Sequence, residues 1–379
     1  MKRLLIFLLL VTTLGCGKFQ QAQKEFNTGL KHSQREKWNE AIVSYDRTIE
    51  LAPTHAEAYV NRGHAYMNLG QLDQAIADSG KAIELNPKLP QAYVNRSACY
   101  IAQKEIDKAI ADASKAIELD PTLAQAYINR SLCYLSQQKL DLSFVDCNKA
   151  IELNPNLPHP YLARASYYHR TKQFDQALAD CNRIIQFDPA LIQLITVRAT
   201  FLRGGVYLRG KEYEKAIADY NRFIDRNPKA PIGYKARSQA YAHLRNYEQA
   251  IKDLSQLIEL TPTDATAYNG RGWWLTKLGE YQQALADCNK AIELKPDVSA
   301  FYDSRGVAYA GLGEHEKALV DYNKAIELGT DSGNIYHNRG LTHAELGNQQ
   351  KADADFAKAK ELGYEEEEEQ AQEEEQEQP

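Results

Sequence analysis

The sequence has 379 residues, more than one hydrophobic core usually supports, which favours either several domains or a repeat array whose core extends along an axis. Its hydrophobic content of 44% and charged content of 25% are typical of a folded protein rather than a disordered one. The formal net charge of -6 comes from residues 365–379, which carry nine Glu and no Lys or Arg. Because no basic block stands out in the remaining residues, we expect no nucleic-acid partner.

The N-terminus has the layout of an export signal. Lys2 and Arg3 precede an apolar run from Leu4 to Leu14. The run is too short to cross a bilayer, which takes about 20 apolar residues. We therefore expect residues 1–15 to be a signal peptide.

The stretch "TLGC" that follows resembles a bacterial lipobox. The resemblance implies a lipoprotein that is lipidated at Cys16, with residues 16–21 as a lipidated tether to the membrane. Gly17 after the cysteine implies, by the same resemblance, an outer-membrane lipoprotein that faces the periplasm. The alternative is an ordinary signal peptide, in which Cys16 has no special role.

Prolines divide the rest of the chain into units. Pro53, Pro87, Pro121, Pro155, Pro189, Pro228, Pro262 and Pro296 are separated by 34 residues, except for one step of 39. With proline at position 32, ten units start at residues 22, 56, 90, 124, 158, 197, 231, 265, 299 and 333. Five units therefore occupy residues 22–191 and five occupy residues 197–364. Residues 192–196 form an insertion, either a break between the two sets or an extension of a helix.

Small residues recur at fixed places, with Gly, Ser or Ala at position 8 and Ala at position 20 in nine units. This pattern resembles the tetratricopeptide repeat, a 34-residue helix-turn-helix unit. The resemblance implies an all-α fold, a right-handed superhelical solenoid of about ten repeats, with helices near positions 2–14 and 17–30. Such arrays bind partners on a concave surface.

Position 7 is on the core face of the first helix, yet it is Arg in nine repeats. A semi-buried charge needs a partner, and position 23 of the second helix is Asp in the same nine repeats. Repeat 1 lacks both charges, with Thr28 and Ser44 at these positions. We therefore predict ion pairs within each repeat. The first three pairs are Arg62 with Asp78, Arg96 with Asp112, and Arg130 with Asp146. The alternative is a basic rail of arginines that contacts a ligand.

Positions 2, 6, 9 and 13 form a different stripe of the first helix, here named the groove stripe. Position 6 is Asn27, Asn61, Asn95 and Asn129 in the first four repeats, and position 2 is Gln91 and Gln125 in repeats 3 and 4. These amides resemble the asparagine ladder of other tetratricopeptide superhelices. The resemblance implies binding to the backbone of an extended peptide, whatever its sequence. The alternative is a tolerated polar residue that repeat duplication has copied.

The groove stripe changes character in later repeats, where small or apolar residues replace the asparagine at position 6 and basic and aromatic residues occur at positions 13 and 9. They are Arg170, Arg209, His243, Trp273 and Lys277. This composition favours a partner with an extended stretch and some acidic groups.

No catalytic or metal-binding motif is present in the sequence, so we expect neither an enzyme nor a cofactor. Five cysteines follow Cys16, and their core-facing positions indicate small buried side chains. A bridge between Cys133 and Cys147 is the one disulfide that the spacing leaves open.

Residues 365–379 are expected to be a disordered acidic tail. A further hypothesis is that this tail folds back onto the basic part of the groove stripe.

The sequence therefore predicts a non-catalytic interaction scaffold at the bacterial cell envelope, which binds a protein or peptide in its concave groove. The alternative is a structural or oligomerising envelope component with no peptide ligand.

Overall fold

The computed structural model describes residues 2–187, 193–329 and 332–364, with side chains from residue 17 onward. Within these residues the protein is all α-helical. The helices are α1 Lys2–Gln34, α2 Trp38–Leu51, α3 Ala56–Asn68, α4 Leu72–Leu85, α5 Pro90–Ala102, α6 Ile106–Leu119, α7 Ala124–Ser136, α8 Leu140–Leu153, α9 Pro158–Arg170, α10 Phe174–Ile185, α11 Gln193–Arg209, α12 Tyr213–Arg226, α13 Pro231–His243, α14 Tyr247–Leu260, α15 Ala265–Lys277, α16 Tyr281–Leu294, α17 Ser299–Gly311, α18 His315–Glu327, α19 Gly333–Glu345 and α20 Gln349–Glu361.

The ten predicted repeats correspond to ten helix pairs, which confirms the helix-turn-helix unit. The chain divides into two compact units, residues 1–199 and residues 200–379, and in each of them the second helix of a repeat also packs on the first helix of the next. Successive repeats in each unit thus bury a continuous apolar layer that one repeat alone could not bury.

The turn between the paired helices has one conformation in every repeat. Position 15 has a positive φ in all ten, and it is glycine at Gly70, Gly279, Gly313 and Gly347. A left-handed residue after the C-terminus of a helix lets the chain reverse direction at once. The second helix ends before position 32, where proline cannot continue the helical hydrogen bonding.

The two helices of a repeat approach closely because the side chains at positions 8 and 24 are complementary in size. Where position 8 is Gly29, Gly204 or Gly306, a Tyr ring lies against it, and a Cβ on Gly306 would lie 2.6 Å from the Tyr322 ring. Where position 8 is larger, position 24 is smaller, as in the pair Ser131 and Cys147.

The five cysteines of the described residues are buried and form no disulfide, so Cys133 and Cys147 are not bridged. Burial raises the pKa of the Cys99 and Cys133 thiols to about 11 and that of Cys288 to about 12. These thiols therefore act as small core groups rather than as nucleophiles.

The insertion extends a helix. Helix α11 has 17 residues, whereas the other first helices from α3 onward have 13, so residues 193–196 add a turn at its N-terminus. Residue 192 lies outside the described residues.

Helix α1 contains residues of the predicted signal and tether, as well as the first helix of repeat 1. None of the described helices is both long and apolar enough to span a membrane. The acidic segment 365–379 lies outside the described part of the chain.

Candidate functional site

The nine arginines at position 7 each bind the aspartate at position 23 of the same repeat, as the sequence predicts. In every pair Nε and Nη2 of the arginine donate to the two carboxylate oxygens at 2.6–2.9 Å. The aspartates are buried, and the hydrogen bond to Asp146, for example, raises the pKa of the Arg130 guanidinium. The bidentate geometry satisfies both charges inside the fold, which indicates a structural role.

A third contact of these arginines links neighbouring repeats, and the sequence reasoning missed it. In at least seven of these arginines, Nη1 donates to position 25 of the preceding repeat, as from Arg62 to Asp46 at 2.5 Å. The signal was present, since position 25 is mostly Asp, Asn or Ser. At Arg96 this position is Gly80, and no such contact is made among the described residues.

The predicted asparagine ladder is wrong for Asn95 and Asn129. Both side chains are only 2% exposed, and their Nδ2 atoms donate to the carbonyl oxygens of Val60 and Val94 in the preceding repeat, each at 3.1 Å. Their amide oxygens accept a hydrogen bond at 3.0 Å from Gln91 and Gln125 respectively. These amides therefore join repeats to one another and are not presented to a peptide.

The other two asparagines face a different environment, for a physical reason. Position 2 of repeat 2 is Glu57, whose carboxylate cannot donate to the Asn61 amide oxygen. The Asn61 side chain instead donates to the backbone oxygen of Glu57 at 2.8 Å and stays partly exposed. Asn27 is exposed, because repeat 1 has no preceding repeat to offer it a carbonyl.

The remaining predicted groove residues do not all lie together. Gln91, Gln125 and Arg170 are exposed in residues 1–199, and Arg209 is exposed in residues 200–379. Trp273 and Lys277 line a common cavity.

This cavity, here named the repeat 8–10 pocket, has a volume of about 450 Å³ and is lined by three successive repeats. Trp273 and Lys277 belong to α15 of repeat 8, and Val307 belongs to α17 of repeat 9. Leu341 of α19 is 49% exposed and faces the same cavity. Polar and apolar side chains line the cavity in similar measure, so it offers both kinds of contact.

A glycine opens the repeat 8–10 pocket. Gly311 occupies position 13, which is Lys277 in the preceding repeat and Glu345 in the next. A Cβ at Gly311 would overlap the Tyr281 ring, which lines the pocket from the second helix of repeat 8. The ring can therefore lie against the α17 backbone only because this position has no side chain.

Charged groups of both signs border the pocket. The Lys277 ammonium lies 5.2 Å from the centroid of the Trp273 ring, within cation–π range. Glu345 also lines the pocket, and Nδ1 of His315 is buried with no hydrogen-bond partner among the described atoms. The pocket can thus combine apolar contact with recognition of a charge.

Asn338 lines the pocket from position 6 of repeat 10 and was missed by the sequence reasoning. Its Nδ2 donates to the Asp303 carboxylate in the preceding repeat at 3.3 Å. Asp303 is at position 5, the position of Val60 and Val94. Asn338 therefore makes the same connection as the two buried asparagines, from position 6 to position 5 of the preceding repeat. Burial raises the pKa of Asp303 to about 6, although the hydrogen bond from Asn338 lowers it.

No group of three or more His, Cys, Asp or Glu side chains that could hold a metal ion is present among the described residues.

Comparisons with known proteins agree with the helical repeat. Family models described as tetratricopeptide repeat match residues 56–89, 90–123, 124–157, 195–231, 234–264, 265–298 and 333–362, and a related repeat model matches residues 29–70 and 308–347. Together these matches cover more than half of the chain. No curated protein matches the sequence significantly.

Solved structures share the fold at low sequence identity. The pilF protein of Pseudomonas aeruginosa is 18% identical with a TM-score of 0.52, over 58% of this chain and 97% of that one. A tetratricopeptide repeat protein from Parabacteroides merdae is 21% identical with a TM-score of 0.46, over 67% and 98%. MamA of Desulfovibrio magneticus is 22% identical with a TM-score of 0.40, over 44% and 94%. On its matched repeats and its paired helices, the chain belongs to the tetratricopeptide repeat family.

Proposed function

We propose that this protein is a non-catalytic scaffold of the bacterial cell envelope that binds an extended segment of a partner protein in the repeat 8–10 pocket. The family is one of interaction scaffolds, which supports the general role. The observation that carries the specific proposal is the cavity of about 450 Å³ that three successive repeats build around Trp273 and Lys277.

The lining of the pocket favours a segment that combines an apolar side chain with an acidic one. Trp273, Val307 and Leu341 offer apolar surface, and burying one apolar side chain contributes about 1.5–3 kcal/mol. Because Lys277 is exposed, an ion pair between its ammonium and a carboxylate contributes about 0–1 kcal/mol more. Micromolar affinity requires about 8 kcal/mol, so the segment must also contact other groove-stripe residues, such as Arg209.

Peptide selection tests the pocket. A displayed library of 12-residue peptides is selected on the full chain, and the enriched sequences are measured against the Trp273→Ala and Lys277→Gln variants. We expect enriched peptides with acidic residues, and at least tenfold weaker binding to either variant. Val320→Ala is the matched control, since Val320 is 67% exposed and lies outside the pocket. Equal binding to all variants would refute the pocket as the site.

The envelope location rests on the N-terminal sequence. Lys2 and Arg3, the apolar run and Cys16 together favour lipidation and membrane attachment. Metabolic labelling with a fatty-acid analogue should mark the wild-type protein and not Cys16→Ala, and the variant should leave the membrane fraction. A Cys16→Ala protein that still sediments with membranes would contradict the lipid anchor while leaving the pocket untouched.

A further inference from the structure

The described chain ends against α19, the helix that supplies Asn338 and Leu341 to the repeat 8–10 pocket. Tyr364 stands at position 32 of repeat 10, the position that proline takes in earlier repeats. Its ring stacks on His337 of α19 with centroids 4.2 Å apart and an interplanar angle of 21°. Its backbone nitrogen donates to the Ala359 oxygen at 2.9 Å. Tyr364 is therefore held against α19.

The repeat pattern indicates which layer these residues enter. At the described repeat boundaries, the residues after position 32 lead into the first helix of the next repeat, and several successive first helices pack on each other, such as α15 with α17 and α17 with α19. The first helices also supply Trp273, Val307 and Asn338 to the pocket. From this pattern we expect the chain after Tyr364 to continue toward the same layer of first helices.

Charge on the groove stripe of residues 200–364 is complementary to these residues. Arg209, His243 and Lys277 are exposed basic groups at position 13 of repeats 6, 7 and 8, and Glu345 is the acidic residue of the stripe in this unit. Residues 365–379 carry nine Glu and no basic residue. Attraction is strongest at repeats 6–8, away from Glu345.

The length of the segment is sufficient for this contact. Fifteen residues span at most about 50 Å when extended. Packed helices lie about 8–10 Å apart, so the segment can run from repeat 10 past Lys277 in repeat 8.

We propose that residues 365–379 bind the groove stripe of repeats 6–8 as an intramolecular occupant, with glutamate side chains at Lys277 and Arg209. This inference rests on the proposed function of the same surface, since it supplies from within the chain the kind of acidic segment that the pocket accepts. A tethered segment competes at an effective concentration in the millimolar range. A partner must therefore displace the tail, and the tail sets the affinity threshold for binding.

A competition experiment tests the proposal. A fluorescent synthetic peptide with the sequence of residues 365–379 is titrated into the full chain and into a variant that ends at Tyr364, at low salt. We expect saturable binding to the shortened variant and at least tenfold weaker binding to the full chain, because the attached copy occupies the site. Binding should weaken as salt is raised, since these charges are exposed.

Two matched controls locate the contact. Lys277→Gln in the shortened variant should weaken peptide binding at least threefold. Lys351→Gln should leave it unchanged, because Lys351 is exposed on α20 outside the pocket. A peptide with all nine Glu replaced by Gln should not bind.

Each contrary result has a distinct meaning. Equal affinity for both chain forms would overturn the intramolecular occupancy and leave the pocket as an acidic-peptide site. Absence of binding to the shortened variant would also overturn the proposal, and the library-selected peptides would then show whether the proposed function survives. A separate result would refute the proposed function. It is that the selected peptides bind the Trp273→Ala and Lys277→Gln variants as tightly as the unchanged chain.

Discussion

Asparagine at position 6 of the repeat has different surroundings in the two units of the chain. In residues 1–199, Asn95 and Asn129 at position 6 are buried and fasten repeats together. In residues 200–364, Asn338 at position 6 lines a pocket, because its partner in the preceding repeat is the Asp303 side chain. The residues at positions 2 and 5, rather than the asparagine itself, determine whether this amide is buried between repeats or lies at a surface.

The comparison also separates polar residues that hold the array together from polar residues that are available to a partner. The arginine–aspartate pairs occur in both units with one geometry, whereas the aromatic and charged rim of the repeat 8–10 pocket belongs to one unit alone. Repetition along the chain therefore indicates structure, and departure from repetition indicates the candidate binding site.

The largest effect is expected from breaking an ion pair that both units share. Asp146→Ala should lower the free energy of unfolding by about 3 kcal/mol, because it leaves the Arg130 guanidinium largely buried without its carboxylate. Urea unfolding followed by circular dichroism measures the loss. The double variant Arg130→Leu with Asp146→Ala should recover part of it, and a double variant as unstable as the single one would contradict the charge-based explanation.

The two kinds of asparagine should differ in stability. Asn129→Ala should cost about 1–2 kcal/mol, since it removes a buried hydrogen bond that joins two repeats. Asn61→Ala should change stability by less than about 0.5 kcal/mol, as is usual for exposed sites. Parallel urea titrations of the two variants provide the test, and equal costs would remove the distinction between the inward and the outward amide.

Asp303 should give the pocket region a pH-dependent stability. Its folded pKa of about 6 lies above the usual value, so the folded state binds the proton more tightly than the unfolded state. The resulting destabilisation is complete above pH 6 and fades as pH falls toward 4. Asp303→Asn should therefore raise the free energy of unfolding at pH 7.5 by about 1–2 kcal/mol, and by less at pH 5. Asp297→Asn, an exposed site, is the control, and an equal gain at both pH values would contradict the buried-carboxyl explanation.

The smallest effect is expected at Gly80, where the side chain that would accept a hydrogen bond from Nη1 of Arg96 is absent. A Cβ there would lie 3.8 Å from Nη1 of Arg96, so Gly80→Ser can supply the contact that Ser114 makes with Arg130. We expect a gain of about 1 kcal/mol from helix propensity and the new hydrogen bond. A double-mutant cycle with Arg96→Lys isolates the hydrogen bond, and zero coupling would show that propensity alone acts.

The sequence predicts the repeat, the helix pairs and the ion pairs because each leaves a periodic signal. The prolines, the small residues at positions 8 and 20, and the matched absence of Arg and Asp in repeat 1 all constrain local packing directly. The direction of a side chain on the groove stripe is not set by period alone. Asn95 turns inward because Gln91 donates to it and Val60 offers a carbonyl. Predicting these contacts requires the distance between two neighbouring repeats.

The pocket was only partly predictable for the same reason. Trp273 and Lys277 stand out as departures from the amide pattern, but the cavity also requires Gly311 to admit the Tyr281 ring. That contact joins two repeats, and a sequence pattern does not give the separation between them.

The measurement that tests the central claim most directly is site-specific photo-crosslinking in the full chain. A photoreactive residue replaces Leu341 in the repeat 8–10 pocket or Asn61 on the groove stripe of residues 1–199. We expect polypeptide adducts at position 341 that Trp273→Ala abolishes, and none at position 61. Adducts at position 61 with none at position 341 would contradict the pocket as the binding site and would indicate that the asparagines bind the peptide.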